Sequence, residues 1–232
     1  MNASGLARAE RRGLADEAAD RIRDAILAGH FEPGSTLREV DLAAELGVSR
    51  GSVREGLGLL EREGLIRTAW HRGTRVLDIT RDDIQEVYSL RAALDRLASV
   101  TAHDRADDDR LAELDRLVAE METALDREAD RAELVALDMA FHDAVYAAAG
   151  NARLTTAWHA IRSQVHLFQL RRVELALDHY RKRVVKEHRQ LARLIRSGDP
   201  GRLADVAERH VHSARRGLLA DRSIPAERGA AP

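Results

Sequence analysis

The sequence predicts a mainly α protein in two parts: an N-terminal winged helix-turn-helix with a small β-wing, and a C-terminal all-α six-helix bundle. Three observations carry this. Residues 36–64 read as two short helices joined by a tight turn, and residues 65–78 alternate apolar and polar. From residue 81 onward, apolar residues recur at helical spacing.

The elements follow in order. Residues 14–28 put Leu14, Ala18, Ile22 and Ile26 on one stripe and stop at Gly29, which predicts a first helix. Thr36 with Glu39 fits a capping box that opens a helix turning Val40, Leu42, Ala43 and Leu46 inward. Gly47 can take the positive φ that a helix C-terminus favours, so Gly47-Val48 ends it. Ser49 is a suitable N-cap for the next helix, which places Val53, Leu57 and Leu60 at core spacing and ends before Gly64. Arg50, Ser52 and Arg54 lie off that stripe, near the helix start. In a helix-turn-helix this is the part that meets base edges, and arginine there pairs with guanine or phosphate. Residues 65–78, LIRTAWHRGTRVLD, read as a hairpin around His71-Arg72-Gly73. Its Arg67, His71, Arg72 and Arg75 suit a phosphate backbone or minor groove. An ordinary antiparallel helix pair with solvated arginines is the alternative, and the following hairpin argues against it. The expected DNA contacts are Arg38, Ser49, Arg50, Ser52, Arg54, His71, Arg72 and Gly73.

Thr80-x-x-Asp83 is a second capping box and marks the domain boundary. Beyond it, helices are expected near 81–104, 108–128, 131–149, 152–177, 180–197 and 200–220. Gly150-Asn151 separates the third from the fourth, and Asp199-Pro200 opens the last as N-cap and first-turn proline. The domains are therefore 13–78 and 80–221, and residues 1–12 and 222–232 are expected to be disordered tails. With three Phe, three Tyr and two Trp, the core must be mainly Leu, Ala and Val.

Composition narrows the function. The 232 residues suffice for two modest domains. The absence of cysteine excludes disulfides and thiolate metal sites. No apolar run approaches a membrane span and the N-terminus has no signal-peptide core, so a cytoplasmic protein with no membrane partner is expected. The formal net charge is −2, and residues 1–78 hold 12 Arg against 13 Asp and Glu. Positive charge is concentrated in residues 49–78, six Arg against four acids. DNA affinity should then rest on a narrow patch and on dimerisation.

A second constellation sits in the helical half. Asp138 and His142 are four apart, about 40° around a helix, and point the same way. His188 falls on the fifth helix of the bundle and His210 on the sixth. One carboxylate and three imidazoles suit Zn, Ni, Mn or Fe, with a position left for water or an anion. Among ten histidines, however, an Asp-x-x-x-His pair arises readily by chance.

The N-terminal segment closely resembles the winged helix of GntR-type bacterial transcriptional regulators. Phe31-x-Pro33-Gly34, Leu42-Ala43, Leu46-Gly47-Val48-Ser49-Arg50, Val53-Arg54-Glu55, Leu60, Glu63-Gly64-Leu65 and His71-Arg72-Gly73 carry the likeness. Departures are Gly51-Ser52, where the family often has Thr-Pro, and Gly56, where it usually has Ala. Each glycine costs roughly 1 kcal/mol relative to alanine in a helix; either the helix is loosened until DNA orders it, or the residues have drifted. Residues 81–220 resemble the FCD ligand-binding domain of the FadR/VanR branch, through Leu90-Arg91-x-x-Leu94, Asp138-x-x-Phe141-His142, Gly150-Asn151-x-x-Leu154, Glu187-His188-x-x-Leu191 and the late His210. Six helices rather than seven favour the VanR-like subgroup.

The resemblance implies that Asp138, His142, His188 and His210 hold a divalent metal ion. His212 is the rival for the last place, but about 200° further round the helix it should face away. Asp95 replaces the glutamate usual after Leu94. Effectors of this family are typically small organic acids, and an arginine can anchor such a carboxylate through a bidentate bond. Arg91 and Arg162 are the candidates, with Gln164, His166 and Gln169 weaker ones. The expected protein is a homodimeric repressor that binds a double-stranded DNA operator and answers to a small carboxylate. The alternatives are a metal-dependent hydrolase or lyase, and a metalloregulator sensing the ion itself. No glutamate or tyrosine is placed by motif as a general base, which weighs against the enzyme.

Overall fold

The computed structural model describes residues 13–70, 73–175 and 177–226, with the backbone alone at 178, 179 and 182. The chain divides into two compact units, Met1–Leu77 and Asp78–Pro232. Among the described residues, no helix is long and apolar enough to cross a membrane.

The first unit contains α1 (Leu14–Leu27), β1 (Thr36–Leu37), α2 (Glu39–Leu46), α3 (Arg50–Arg62), β2 (Ile66–Ala69) and β3 (Gly73–Val76). Ala18, Ala19, Ile22 and Ile26 of α1 are buried, as are Val53, Gly56, Leu57 and Leu60 of α3, and the two helices pack together. Gly47 ends α2 at φ 66°, and Ser49 caps α3 by accepting the Ser52 N–H at 3.1 Å. The wing is a three-stranded antiparallel sheet of order β1-β3-β2, with Ile66 opposite Val76 and Ala69 opposite Gly73.

Three local expectations fail. Thr36 does not cap α2; it lies in β1, paired with Arg75, and α2 starts at Glu39 with Arg38 in the cap position and no side-chain cap. Val40 is 57% exposed. Leu42 and Ala43 set the buried face of this eight-residue helix, and Val40 lies about 200° from Leu42. Leu14 opens α1 and remains exposed, since a helix end has no preceding turn to cover it.

The second unit contains α4 (Arg81–Arg105), α5 (Asp108–Asp126), α6 (Arg131–Ala149), α7 (Ala152–Leu175), α8 (Leu177–Ser197) and α9 (Pro200–Leu219). Its helix starts are chemically alike. Thr80 and Asp83 form a reciprocal capping box, and Asp107, Asp130 and Asp199 each accept a backbone N–H of the first turn. Helix α4 runs against α9 and α6 and also meets α7 and α8. The few aromatic side chains are gathered inside: Tyr88, Phe141, Tyr146, Trp158, Phe168 and Tyr180 are all fully buried.

The C-terminal tail expectation is also overturned for residues 222–226. Ile224 is buried, the Pro225 carbonyl accepts the Arg81 N–H at 2.9 Å, and Arg171 donates to Ser223 Oγ at 3.2 Å. One apolar anchor in a short irregular segment leaves no periodic trace. The expectations for residues 1–12, and for 227–232, lie outside the described residues.

Gly56 gains a reason here. A Cβ at this position would stand 2.8 Å from the Ala15 carbonyl oxygen and 3.1 Å from the Ala19 nitrogen, so glycine permits the close crossing of α1 and α3. At Gly51 an added Cβ would make only ordinary contact with Ser49 Oγ, at 3.6 Å. Gly56→Ala should therefore destabilise the first unit by about 1–3 kcal/mol through overpacking. Gly51→Ala should be neutral or stabilising, by up to about 1 kcal/mol. Denaturant melts of both variants check this, and equal effects would refute the crossing argument.

Candidate metal centre and nucleic-acid face

Helix α6 places Asp138 and His142 one turn apart, α8 supplies His188 and α9 supplies His210; all four are buried. The ligand atoms of the three histidines lie within 4.8 Å of one another. His188 Nε2 is 3.1 Å from Asp138 Oδ1. His212 is not part of the group; it lies on the other side of α9, 3.4 Å from Glu208.

Hydrogen-bond partners fix what each ring presents. His188 Nδ1 is 2.7 Å from the Val184 carbonyl, an acceptor only, so Nδ1 carries the proton and Nε2 a lone pair. His210 Nδ1 is 3.0 Å from the Glu187 carboxylate, with the same consequence. His142 Nε2 lies 2.8 Å from Arg91 Nη2, which can only donate, so this nitrogen accepts and Nδ1–H faces Asp95 Oδ2 at 3.4 Å. Gln169 donates to Asp138 Oδ2 at 2.6 Å and leaves Oδ1 turned to the histidines. Asp138 Oδ1, His188 Nε2 and His210 Nε2 are all buried without a hydrogen-bond partner. Acceptors gathered face to face in a dry interior are costly unless a cation satisfies them. Three imidazole nitrogens and a carboxylate oxygen are a fitting donor set for a divalent ion.

The electrostatics agree. Burial, reinforced by the Arg91 guanidinium, pushes His142 well below the usual imidazole range. Burial also lowers His210, although Glu187 pulls the other way. Burial opposes ionisation of Asp138, yet the neighbouring His188 and His142 and the Arg91 guanidinium hold its carboxyl well below the ordinary value.

Around these ligands lies a shell that the sequence pattern left unassigned. Asp95 accepts from Tyr146 Oη at 2.6 Å and from Arg91 Nε at 3.3 Å, while facing His142. Glu187 orients His210, and Gln169 orients Asp138. Glu187 lies within one family motif and Asp95 directly follows another, but their partners are set by helix crossing.

The expected anion-binding residues separate. Arg91 is fully buried over the Tyr88 and Trp158 rings, and its Nη1 has no partner. Arg162 is instead committed to Asp143, with bonds of 2.6–3.0 Å that Asp143 shares with the Trp158 indole. Its guanidinium is thus already paired in this structure. Gln169 donates to Asp138 Oδ2 and so positions that carboxylate. His166 is half-buried on α7, and burial followed by the Arg162 charge lowers its pKa to about 4. Gln164 is half-buried on the same helix.

On the first unit, Arg38, Arg50 and Arg54 are exposed. Glu39 lies among them: Arg54 holds its carboxylate with two bonds of 2.7 and 3.0 Å, and Arg50 stands 3.9 Å away. The Arg54 bond keeps that carboxyl below its ordinary range. Ser49 and Ser52 are 3.0 Å apart through their hydroxyls, and Ser49 is occupied as a cap. Gly73 has φ 71° at the turn, while His71 and Arg72 lie outside the described residues.

The described elements are a winged helix-turn-helix and an all-helical domain. Residues 14–76 match the bacterial regulatory proteins of the gntR family, and residues 86–213 match the FCD domain. The chain belongs to the GntR family of transcriptional regulators and carries an FCD domain. It is 32% identical to a protein of Paenarthrobacter nicotinovorans named as a D-xylose utilization operon transcriptional repressor, over 88% of this chain and 87% of that one. It is 27% identical to the HTH-type transcriptional regulator YdhC of Bacillus subtilis, over 83% of each. A GntR transcriptional regulator from Rhodococcus sp. RHA1 shares the fold, with a TM-score of 0.74 at 24% identity, over 89% of this chain and 97% of that one. These relatives are regulators, which sets aside the hydrolase or lyase alternative.

The depressed imidazoles give a signed pH dependence. Unfolded histidines take up protons near pH ~6.5, whereas His142 and His210 resist them in the folded state. The unfolded chain then binds more protons, so stability falls as pH drops below about 6.5 and recovers above it. Chelator-treated protein should show a lower Tm at pH 5.5 than at pH 7.5. For the same reason metal occupancy should persist below the ~6.5 expected of free imidazoles. A flat Tm over this range would contradict the assignment of buried, neutral rings.

Proposed function

We propose that this chain is a dimeric repressor whose FCD domain holds a divalent ion on Asp138, His142, His188 and His210 and answers to a small carboxylate. The observation that carries the metal reading is the meeting of unpartnered buried acceptors, Asp138 Oδ1, His188 Nε2 and His210 Nε2. The donor types suit Zn, Ni, Mn or Fe, and the ion would supply positive charge and an open position for a carboxylate oxygen. Arg91, buried with Nη1 unspent, is the chain's own group for the other end of such an anion. The repressor role is supported by the name of the Paenarthrobacter relative.

For the DNA face we propose Arg50 and Arg54 at the start of α3, with Arg38 and the wing residues Arg72, His71 and Gly73 beside them. Glu39 holds Arg54 by both carboxylate oxygens, so this pair presents a fixed guanidinium instead of a loose one. With 12 Arg against 13 Asp and Glu, residues 1–78 carry no net positive side-chain charge, and two copies on a palindrome supply the affinity that one lacks.

Two measurements test these readings. The first is calorimetry of the best organic-acid hit from a thermal-shift screen into metal-loaded, chelated and His188→Ala protein. Affinity should collapse in the last two, and equal affinity in all three would remove the shared site. The second is DNA binding on an operator selected from a random pool. Arg50→Ala should lose about 1–3 kcal/mol if Arg50 makes a bidentate base contact. Glu39→Gln should strengthen binding to unrelated DNA and steepen its salt dependence, because it removes an anion beside two cations. Unchanged affinity in both variants would exclude this face.

A further inference from the structure

We propose that Arg91 and a metal ion are alternative partners of one lone pair, that of His142 Nε2, so that metal loading turns the Arg91 guanidinium toward an incoming anion. This rests on the metal reading above and gives it a direction.

The geometry is specific. Arg91 Nη2 stands 2.8 Å from His142 Nε2. A guanidinium has no acceptor, so this contact consumes the one lone pair the ring nitrogen has. A metal–imidazole bond needs the same electrons. The two partners therefore exclude each other at His142, whereas His188 Nε2 and His210 Nε2 have no such competitor. Arg91 is also built to move at one end only. Its Nε is held by Asp95 at 3.3 Å, and its guanidinium carbon lies 5.7 Å from the Tyr88 ring and 5.8 Å from the Trp158 ring. Nη1 is buried and unpartnered. When the ion takes His142, both terminal nitrogens are left without acceptors in a dry interior, beside a second positive charge. A carboxylate relieves both problems at once, through two charge-assisted hydrogen bonds. An ion without an anion is opposed by Arg91; an ion with an anion is favoured by it.

This predicts a sign that a supporting residue would not give. Removing an outer-shell group that merely steadies a ligand weakens metal binding. Removing Arg91 should tighten it, because a charge-assisted competitor is lost. By linkage, the anion and the ion must raise each other's affinity by the same factor, and that factor should shrink in the absence of Arg91 to what direct coordination of the anion by the ion contributes.

The experiment is Zn2+ affinity by competition with a chromophoric chelator, on full-length wild type, Arg91→Gln, Arg91→Met and His188→Ala, each with and without succinate. Without succinate, both Arg91 variants should bind Zn2+ about tenfold more tightly than wild type, and His188→Ala far more weakly. Succinate should tighten Zn2+ binding more in wild type than in the Arg91 variants, and an equal effect in all three overturns the proposal. Equal or weaker Zn2+ binding by folded Arg91 variants overturns the proposal while leaving the metal site standing. Wild type and His188→Ala binding Zn2+ alike would remove the metal site and this proposal with it. If neither Arg91 variant folds, a crystal structure of the Zn2+-loaded wild type decides. Arg91 withdrawn from His142, with Nε2 on the ion, supports the exchange. Arg91 still on His142 Nε2, with the ion held elsewhere, overturns it.

Discussion

The interior of the second unit is organised around an excess of acceptors. The ring tautomers of His188 and His210 are fixed from outside the centre by the Val184 carbonyl and Glu187, which leaves each Nε2 lone pair turned inward, while at His142 Asp95 faces Nδ1 and Arg91 takes the Nε2 lone pair. A backbone carbonyl cannot donate, and neither can an ionised carboxylate, so these rings cannot reorganise by passing a proton across the centre. Asp138 Oδ1 then faces His188 Nε2 at 3.1 Å as one acceptor before another. A buried arrangement of this kind is unfavourable alone and favourable around a cation. Five of the six helices contribute to it or to its supports, so the centre and the packing of α4, α6, α7, α8 and α9 stand or fall together.

The supports are themselves buried polar groups with their own partners. Gln169 donates to Asp138 while its carbonyl oxygen accepts from Tyr88 at 3.3 Å and from Arg172 at 3.1 Å. Asp95 ties Tyr146, Arg91 and His142 together. Networks like these rigidify a site when nearly every member is satisfied. That explains why the scarce aromatic residues collect here: Tyr88, Tyr146 and Trp158 supply large apolar surface together with one donor each.

What could be read in the sequence follows from locality. The turn glycines 47, 64 and 150, the caps at Ser49, Thr80 and Asp199, and the helix order are set by residues within four positions of one another, and they appear in the structure as the pattern implies. The Asp138–His142 spacing is local too. Glu39 facing Arg54, Asp95 facing His142 and Gln169 facing Asp138 join residues 15 or more positions apart, and only tertiary crossing brings them together. Gly56 is the sharpest case: as a helix-interior glycine it looks like a defect, and only the backbone of α1 at 2.8 Å shows what it permits. Thr36 was misleading for a related reason, since a two-residue strand has no periodicity to compete with a good capping pattern.

A sensor must contain something with two discrete arrangements, because a ligand shifts an equilibrium only by its difference in affinity for the two states. Most of this interior does not qualify. Asp138, His188 and His210 are held by Gln169, the Val184 carbonyl and Glu187 respectively, and Arg162 is locked to Asp143 by three bonds. Arg91 is different. It is anchored at Nε, stacked between rings, and divided at its far end between a nitrogen that the ion also needs and an Nη1 that nothing uses. A tenfold coupling through this residue corresponds to about 1.4 kcal/mol. That is within the ~1–3 kcal/mol typical of allosteric coupling, and close to what one charge-assisted hydrogen bond contributes. The exchange at His142 therefore supplies coupling of the right size from a single side chain, with no rearrangement of the helices that carry it.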